Sequence, residues 1–458
     1  TVSTTATSGT PFATASITIN SGTLSLVGGG TAQALSIPTL NYGGTGSIAL
    51  NQGSTSSQLT IATALARQGA FNSVNYGTLT INPSALANLG VTEKVIVSAG
   101  APANTALTGG DILTVPSIFV ALAGSGQDAN FARYDAVNGI REHTVTTVGT
   151  LAAGAAANVG DITASDIAGA GTIDIGALRT AADIAPTDIT TLIRINNGGL
   201  IFNGATAPII SADVLFGTAA ATKEALVYVR DGQTGVSTLS GSVTALDFTK
   251  TGAGTLELSG AANVLNSGAT RLPVLSVQNG AFRFGNAGAQ FTNARRPTST
   301  TALTGSYVLN VNEAGVFDLN GINTLVGGLT GNGTVSSGVA GAVNFTSRNG
   351  FGVDTTFSGG ITDGAGVVTF TKSGNGILSV AGHSSHTGGT VVEAGRVTVA
   401  TGNATPLGRL EPQTVTALGT GPITLAGGDI RFNAATLLNS AQSTNEVTDG
   451  IDTLLWGG

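Results

Sequence analysis

The 458-residue sequence contains no cysteine, no methionine, one tryptophan and three histidines. Without cysteine the chain has no disulfides, and no thiolate is available as a nucleophile or as a zinc ligand. A chain that begins at Thr1 and lacks methionine is typical of a mature product whose signal peptide has been removed. These absences favour export and exclude cysteine chemistry.

Charge is also scarce. Charged side chains make up 9% of the residues, against roughly 25% in ordinary globular domains. The 18 Lys and Arg residues are scattered and the net charge is −7, so no basic stripe is present to neutralise phosphates. No apolar run approaches the ~20 residues that a membrane-spanning helix requires. We therefore expect neither nucleic acid as a partner nor a transmembrane segment.

Glycine and short polar side chains dominate instead. Glycine occurs 68 times, and 41% of the residues are hydrophobic, which is enough apolar surface for a long core. Short stretches alternate apolar and polar residues and end at Gly, Asn or Asp, as at residues 16–20 and 77–81. This pattern predicts β-strands separated by tight turns. Three stretches rich in Ala and Leu are interpreted as turns or short helices inserted between strands: residues 62–67, 83–89 and 177–185.

One segment of the chain recurs. Phe-Thr-Lys-Thr-Gly-Ala-Gly-Thr-Leu-Glu-Leu-Ser-Gly at residues 248–260 returns as Phe-Thr-Lys-Ser-Gly-Asn-Gly-Ile-Leu-Ser-Val-Ala-Gly at residues 370–382, an offset of 370 − 248 = 122 residues. Each copy leads to a second signature of strand, tight turn and strand, at residues 277–284 and 392–399. Strands with one apolar face must stack to bury it. The sequence therefore predicts an all-β fold, a parallel β-helix or β-solenoid with short inserted loops or helices and coils of ~22 residues.

The recurring segment resembles the autotransporter-associated β-strand repeat, as do its companions at residues 313–335, 387–395 and 418–428. The resemblance covers the chain from about residue 195 to residue 432. It implies a right-handed parallel β-helix, secretion, and residence at the outer surface of a bacterial cell.

We accordingly divide the chain into three parts: a β-rich solenoid region with insertions at residues 1–194, the repeat β-helix at 195–432, and a C-terminal segment at 433–458 that serves assembly or capping. A solenoid has two open ends, each a row of unpaired backbone groups that invites another chain. Alternation begins close to the N-terminus, and the chain closes without a charged cap. The residues predicted to mediate self-assembly are Ile17, Ile19, Ile451, Leu454, Leu455 and Trp456.

Candidate catalytic and metal-binding residues are few. Five carboxylates could line one side of adjacent coils, as a calcium site or a polysaccharide-cleaving site would require: Asp161, Asp166, Asp174, Asp183 and Asp188. Because Asp commonly ends strands, and because the Gly-Gly-x-Gly-x-Asp repeat of calcium-binding β-rolls is absent, we interpret them as solvated turn residues. We expect no cofactor, with calcium as the alternative.

The histidines and two lysines are interpreted as structural. His383 and His386 have His-x-x-His spacing but lack a third ligand, so both are expected to be solvent-facing turn residues. His143 has no nucleophile motif to serve and is expected to be structural. Lys250 and Lys372 lack the Gly-x-x-x-x-Gly-Lys order of a phosphate loop and are expected to mark turns between coils.

Together these features predict a non-enzymatic extracellular structural β-solenoid that assembles with itself, head to tail, into a cell-surface fibre or sheath. The alternative is a monomeric passenger of autotransporter type that acts as an adhesin. Inserted segments such as residues 127–143 would then bind surface glycans or other cells. A polysaccharide-cleaving β-helix enzyme is a third alternative.

Overall fold

The structure is a computed structural model built almost entirely of short β-strands. It describes residues 2–4, 8–10, 15–27, 30–52, 55–68, 76–107, 111–143, 151, 159–267, 271–293, 303–304, 307–350, 353–399 and 417–432. Within these residues there is no α-helix, and single 3₁₀ turns occur at Leu86–Asn88 and Ala287–Ala289. The predicted all-β class is confirmed.

The first part of the chain forms a short stack of coils, here called the N-terminal stack. Its strands are β1 (Val2–Thr4), β2 (Ser8–Gly9), β3 (Ile17–Ile19), β4 (Thr23–Val27), β5 (Gln33–Tyr42), β6 (Thr45–Gln52), β7 (Ser57–Arg67), β8 (Thr78–Asn82), β9 (Glu93–Val97), β10 (Asn104–Thr105), β11 (Ile112–Leu113), β12 (Ile118–Ala121), β13 (Ala129–Asp135) and β14 (Gly139–Glu142). One parallel sheet runs β1-β4-β6-β8-β12 and ends in the antiparallel strands β13 and β14, and a second parallel sheet places β2 and β3 on β5, followed by β7 and β9.

The rest of the described chain is a longer solenoid. Its strands are β15 (Val159–Ile162), β16 (Asp166–Ala168), β17 (Thr172–Ile175), β18 (Ala177–Thr180), β19 (Ile184–Pro186), β20 (Leu192–Ile195), β21 (Gly199–Phe202), β22 (Ile209–Ile210), β23 (Asp213–Phe216), β24 (Ala225–Val229), β25 (Ser237–Leu239), β26 (Val243–Ala245), β27 (Phe248–Thr251), β28 (Thr255–Leu258), β29 (Val264–Leu265), β30 (Val274–Phe284), β31 (Thr292–Asn293), β32 (Leu303–Thr304), β33 (Val308–Asp318), β34 (Thr324–Val326), β35 (Gly328–Gly331), β36 (Thr334–Arg348), β37 (Thr355–Phe357), β38 (Gly360–Ser373), β39 (Ile377–Val380), β40 (Thr390–Val392), β41 (Arg396–Val399), β42 (Ile423–Leu425) and β43 (Asp429–Phe432).

Each turn of this solenoid passes through three parallel faces. Face A contains β15, β18, β21, β24, β27, the first halves of β30 and β33, and then β35, β37, β39, β41 and β43. Face B contains β16, β19, β22, β25, β28, the second halves of β30 and β33, and the first residues of β36 and β38. Face C contains β17, β20, β23, β26, β29 and β31, followed by β34, the last residues of β36 and β38, β40 and β42.

The predicted parallel solenoid is thus confirmed, although its coils are less uniform than the repeat suggests. One full turn takes 18 residues from Val159 to Ala177 and 34 residues from Val274 to Val308. Extra residues are inserted where one face turns into the next, because the strands themselves must stay in register with their neighbours. The described part of the ladder begins at Val159. The predicted division of the chain at residues 194 and 432 stays a prediction.

A column of aromatic rings follows the solenoid axis inside the core. Phe248, Phe282, Phe317, Phe345 and Phe370 are all buried, and the centroids of successive rings are 5.8 to 6.3 Å apart. Such pairs contribute about 0.5–1.5 kcal/mol each beyond the apolar area that they bury. The column therefore adds ring–ring contacts between successive coils to their backbone hydrogen bonds.

The N-terminal stack packs against the outer side of face A. Phe119 and Phe131 cover the outward side chains of Ile201 and Tyr228 in one apolar cluster. Further along the solenoid, Tyr76 packs on Val274 and Val308. Along these coils, from β21 to β33, face A is consequently buried on both sides.

The two stacks run in opposite directions. Asn130, late in the N-terminal stack, bonds to Arg179 of an early solenoid coil. Thr78 bonds to Thr251 of a middle coil, and Gly44 lies close to Asn312 of a later one. The chain therefore doubles back on itself between the two stacks.

For two of the three stretches, the prediction of turns or short helices inserted between strands is wrong. Residues 62–67 belong to strand β7, and residues 177–185 form β18, a turn and most of β19. In both places the backbone pairs with neighbouring coils, and this pairing overrides the helix propensity of Ala and Leu. Residues 83–89 do contain a short helical turn, as predicted.

A buried ion pair fastens the two stacks together. Arg67 donates from Nη1 and Nη2 to the two carboxylate oxygens of Glu224, at 2.7 and 2.8 Å. Its Nε donates to the Gly77 carbonyl at 2.7 Å, and the Thr249 hydroxyl donates to Glu224 at 2.6 Å. The side chains of Arg67 and Glu224 are only 12% and 16% exposed. Because all three guanidinium nitrogens and both carboxylate oxygens are hydrogen-bonded, this pair tolerates its burial.

Substituting Arg67→Met leaves Glu224 buried without its cation, and we expect the free energy of unfolding to fall by about 3–5 kcal/mol. Urea unfolding followed by circular dichroism measures the loss. The matched control is Arg396→Met, which removes a pair with Asp429 whose side chains are 39% and 54% exposed and which should cost less than about 1 kcal/mol. Equal losses of unfolding free energy in the two variants would contradict a stabilising role of the Arg67–Glu224 pair between the stacks.

Candidate functional site

Two lysines lie inside the wall of the solenoid, one in each copy of the recurring segment. Lys250 of β27 and Lys372 of β38 are fully buried. Lys250 stands in register between Val227 and Val277, and Lys372 stands in register with Val392, all of which belong to the apolar core. Each lysine thus occupies a position that an apolar side chain fills in the adjacent coil.

The ammonium group of Lys250 is surrounded by backbone carbonyl oxygens. Its Nζ donates to the carbonyls of Gly252 and Asn279, both at 2.6 Å, and to that of Gly254. A lysine ammonium has three donors and no acceptor, so three carbonyls satisfy it completely. Gly252 and Gly254 belong to the turn after β27, and Asn279 belongs to the turn of the next coil. The lysine therefore joins two successive corners of the solenoid.

The second copy repeats this arrangement. The Nζ atom of Lys372 donates to the carbonyls of Ser373 at 2.7 Å, Gly374 at 2.8 Å and Ala394 at 3.2 Å. Ala394 precedes Gly395 just as Asn279 precedes Gly280 in the first copy. The signature that follows each repeat in the sequence therefore contains one of the carbonyl partners of that repeat's lysine.

Glycine is required at the partner turns. Gly280 and Gly395 have φ angles of 64° and 67°, in the left-handed region that other residues resist. A Cβ atom on Gly280 would also collide with the Gly254 carbonyl and with the Lys250 ammonium, and one on Gly395 would collide with the Gly374 carbonyl. The close approach of lysine and backbone therefore depends on these two glycines.

The two copies occupy different faces of the solenoid. In the first copy the lysine strand β27 lies on face A and the next strand, β28, on face B. In the second, the end of β38 lies on face C and β39 on face A. The offset of 122 residues is therefore not a whole number of turns. The same lysine-containing turn therefore stabilises the corner between faces A and B in one copy and the corner between faces C and A in the other.

Burial changes the acidity of both lysines. It lowers the pKa of Lys250 well below its usual value and the pKa of Lys372 to about 8. Sequence analysis placed these lysines at turns but missed their burial and their carbonyl partners. The available signal was a lysine at the same place in both copies, directly before Thr-Gly or Ser-Gly.

The prediction for His386 is wrong, whereas His383 is exposed as predicted. His386 is fully buried beside Phe370. Its Nε2 lies 3.0 Å from the Thr390 hydroxyl and its Nδ1 lies 3.4 Å from the Ile361 carbonyl. Burial lowers the pKa of His386, so the ring is neutral at pH 7.

His143 is buried as well, with Nδ1 2.9 Å from the Asp111 carbonyl. No nucleophilic side chain is hydrogen-bonded to it within the described residues. These contacts support a structural role for His143.

The five acidic residues do not form a row. Asp161 lies on face A, Asp166 on face B and Asp174 on face C. The predicted solvated state is wrong for Asp161 and Asp166, which are 6% and 8% exposed. Asp161 binds Arg179 at 2.8 and 2.6 Å, and Asp166 accepts a hydrogen bond from the backbone of residue 151. Burial is tolerated because each carboxylate has a donor.

The other three carboxylates also have structural partners. Asp174 pairs with Arg194 at 2.6 Å, while Asp183 and Asp188, both exposed as predicted, accept from nearby backbone amides. In the described ranges no three His, Cys, Asp or Glu side chains are grouped so that they could hold a metal ion. Helices long and apolar enough to cross a bilayer are likewise absent from the part of the chain that the structure describes.

The predicted assembly residues can be placed only in part. Ile17 and Ile19 lie in β3, which pairs with the second half of β5. Ile19 is buried in the core of the N-terminal stack, and Ile17 packs against that core. Ile451, Leu454, Leu455 and Trp456 lie outside the described residues. Assembly through these residues stays a prediction.

The model of one protein family, the passenger-associated-transport-repeat, matches residues 248–272 and 370–399. These are the two segments that carry the buried lysines. The resemblance to autotransporter-associated repeats is thereby confirmed, and the chain contains two copies of such a repeat. Neither a curated protein nor a solved structure matches the chain significantly.

We expect Lys250→Met to lower the free energy of unfolding by about 3 kcal/mol, because it removes three hydrogen bonds that a buried ammonium group donates to backbone carbonyls. Chemical unfolding measures the loss. Lys223→Met, at an exposed lysine, is the control and should change stability by less than about 0.5 kcal/mol. A Lys250→Met protein as stable as the wild type would show that the ammonium group is dispensable.

Acidification should destabilise the solenoid through His386. Because burial lowers the pKa of the folded state, the unfolded chain takes up the proton first, and stability is lost as the pH falls below about 6.5. We expect the wild type to lose stability relative to His386→Gln between about pH 7.5 and about pH 5.5. His383→Gln, at the exposed histidine, should follow the wild type. A constant difference between the wild type and His386→Gln across this range would refute the expectation.

Proposed function

We propose that this protein is a non-enzymatic structural solenoid of the bacterial cell surface, exported as a passenger of autotransporter type and assembling with copies of itself. The observation that carries the proposal is the position of the two passenger-associated repeats. They form corners of one continuous parallel ladder and contribute their lysine to its framework rather than to an exposed site. Polar side chains that sequence analysis considered for catalysis are likewise occupied in structural pairs.

The geometry of the open ends supports self-association. In the last described coil, β42 pairs with β40 and β43 pairs with β41, and no described strand of a further coil pairs with either of them. Leu425, in β42, is 41% exposed. At the other end of the long solenoid, the described part of the face A ladder begins with β15, which pairs with β18. Parallel edges of this kind add a further strand without rearrangement, so a head-to-tail contact between copies would continue the ladder.

A monomeric adhesin is the second candidate function. The observation that favours it is a polar groove, described in the next subsection, to which the predicted binding segment contributes Gln127. Residence at the cell surface or in the secreted fraction follows from either candidate, because both rest on the passenger-type repeats.

The test is negative-stain electron microscopy of the purified chain across a concentration series. We expect filaments, and we expect Leu425→Lys to suppress them by placing a charge on the terminal strand. The control is Val367→Lys, which changes a 44% exposed valine in a middle coil and should leave assembly intact. Isolated particles of wild type at every concentration would contradict self-assembly and leave the adhesin as the candidate.

A further inference from the structure

A groove of about 420 Å³ lies between the N-terminal stack and the long solenoid. One wall consists of hydroxyl side chains from three successive coils: Thr23, Ser47 and Thr80. These residues are in register along β4, β6 and β8, and the hydroxyls of Thr23 and Ser47 are 2.7 Å apart. All three are half-buried, so their hydroxyl groups remain accessible from the groove.

The opposite wall is formed by corners of the long solenoid. Thr251 and Gly252 come from the turn of the first passenger-associated repeat, and Asn279 comes from the corner of the following coil. The Thr251 hydroxyl lies 3.0 Å from that of Thr78 and 3.3 Å from that of Thr45. Because Lys250 binds the carbonyls of Gly252 and Asn279, the repeat lysine fixes this wall from behind.

An aromatic ring and a carboxylate stand at one end of the groove. Tyr228 is partly exposed and packs against Phe119, with ring centroids 5.1 Å apart. Burial, together with Asp231, raises the pKa of Tyr228 to about 12, so its hydroxyl keeps its proton and can donate. Asp231 accepts a hydrogen bond at 2.7 Å from the amide of Gly126, in the loop that closes this end.

Two amide side chains of the lining, Asn82 and Asn279, are held in fixed orientations. Asn82 donates to the carbonyl of Ala121 at 2.9 Å, and the Asn279 side-chain oxygen accepts from the amide of Gly280 at 2.7 Å. Each side chain therefore presents its other polar atom without having to reorganise. Groups fixed in this way cost less entropy when a ligand binds.

The chemistry of these walls selects a class of ligand. The lining residues, all of which the structure describes, include no Lys, Arg or His, so phosphate and sulfate groups would find no cation. Ten of the 21 lining residues carry a hydroxyl or amide side chain and an eleventh, Asp231, is a carboxylate, which does not suit a lipid. Hydroxyls and amides match the hydroxyl groups of sugars, and an aromatic ring provides an apolar platform. The volume is within the range of about 300–1,000 Å³ that is typical of small-ligand sites.

We propose that this groove binds a neutral saccharide, with the sugar ring against Tyr228 and its hydroxyl groups along Thr23, Ser47 and Thr80. This inference goes beyond the structural role, because it requires the packing of the two stacks but not assembly into filaments. A second groove of about 470 Å³, on the side that faces Asn41 and Thr356, has amides and hydroxyls but buries its one ring, Tyr76. It provides the matched control.

The test is isothermal titration calorimetry of the full chain with cello-, manno-, galacto- and chito-oligosaccharides, and with heparin as the anionic comparator. We expect binding to at least one neutral series and none to heparin. Tyr228→Ala and Ser47→Tyr should each weaken that binding at least about tenfold, the first by removing the ring and the second by filling the groove. Thr356→Tyr, which fills the second groove instead, should bind as the wild type does.

Circular dichroism and the unfolding midpoint establish that each variant is folded. If Tyr228→Ala does not fold, the test rests on Ser47→Tyr. Failure to bind any neutral series overturns the inference. So does binding that survives Ser47→Tyr, that is lost in Thr356→Tyr, or that is confined to heparin. Electron microscopy of the same samples reports assembly separately, so loss of saccharide binding and loss of filaments are distinguishable.

Discussion

Hydrogen bonding between the backbones of successive coils is the constraint on which the rest of this structure depends. A coil that pairs with the coils above and below it must keep its strands in register, so extra residues can enter only at the corners. At the corners, backbone from adjacent coils comes into close contact, and carbonyl groups of successive coils converge. Lys250 and Lys372 resolve this at the two passenger-associated repeats, because one ammonium group supplies three donors to three converging carbonyls.

The faces between the corners follow from the same constraint. Inward side chains bury one another, as the phenylalanine column does, while outward side chains must be either polar or covered. On face A the early coils carry apolar outward residues such as Ile201, which the N-terminal stack covers, and the later coils carry Ser276 and Asn310. Folding back therefore buries the outer side of face A between β21 and β33 and creates grooves where the N-terminal stack meets the solenoid. The structural role and the proposed saccharide site thus share one origin.

Much of the fold could be predicted from local pattern. Alternation placed Leu256 and Leu258 inward, and both are fully buried. The recurrence of residues 248–260 indicated stacked parallel coils, since one copy could not bury its apolar face alone. Local pattern gave the wrong prediction where contacts between coils decide the structure. The Ala-rich residues 62–67 lie in a strand, and His386 lies in the core, where it contacts Thr390 and Ile361. The fold-back was not predictable, because its contacts join residues such as Thr78 and Thr251 that no periodicity relates.

The packing of the N-terminal stack on face A is tested most directly by a disulfide between the two stacks. The chain contains no cysteine, so Thr78→Cys together with Thr251→Cys introduces the only thiols, at positions whose hydroxyl oxygens are 3.0 Å apart. Mild oxidation followed by peptide mass spectrometry should detect an intramolecular disulfide between residues 78 and 251, formed in the folded protein and independent of protein concentration. Free thiols after oxidation, or disulfides only between chains, would contradict the fold-back and remove the physical basis of the groove.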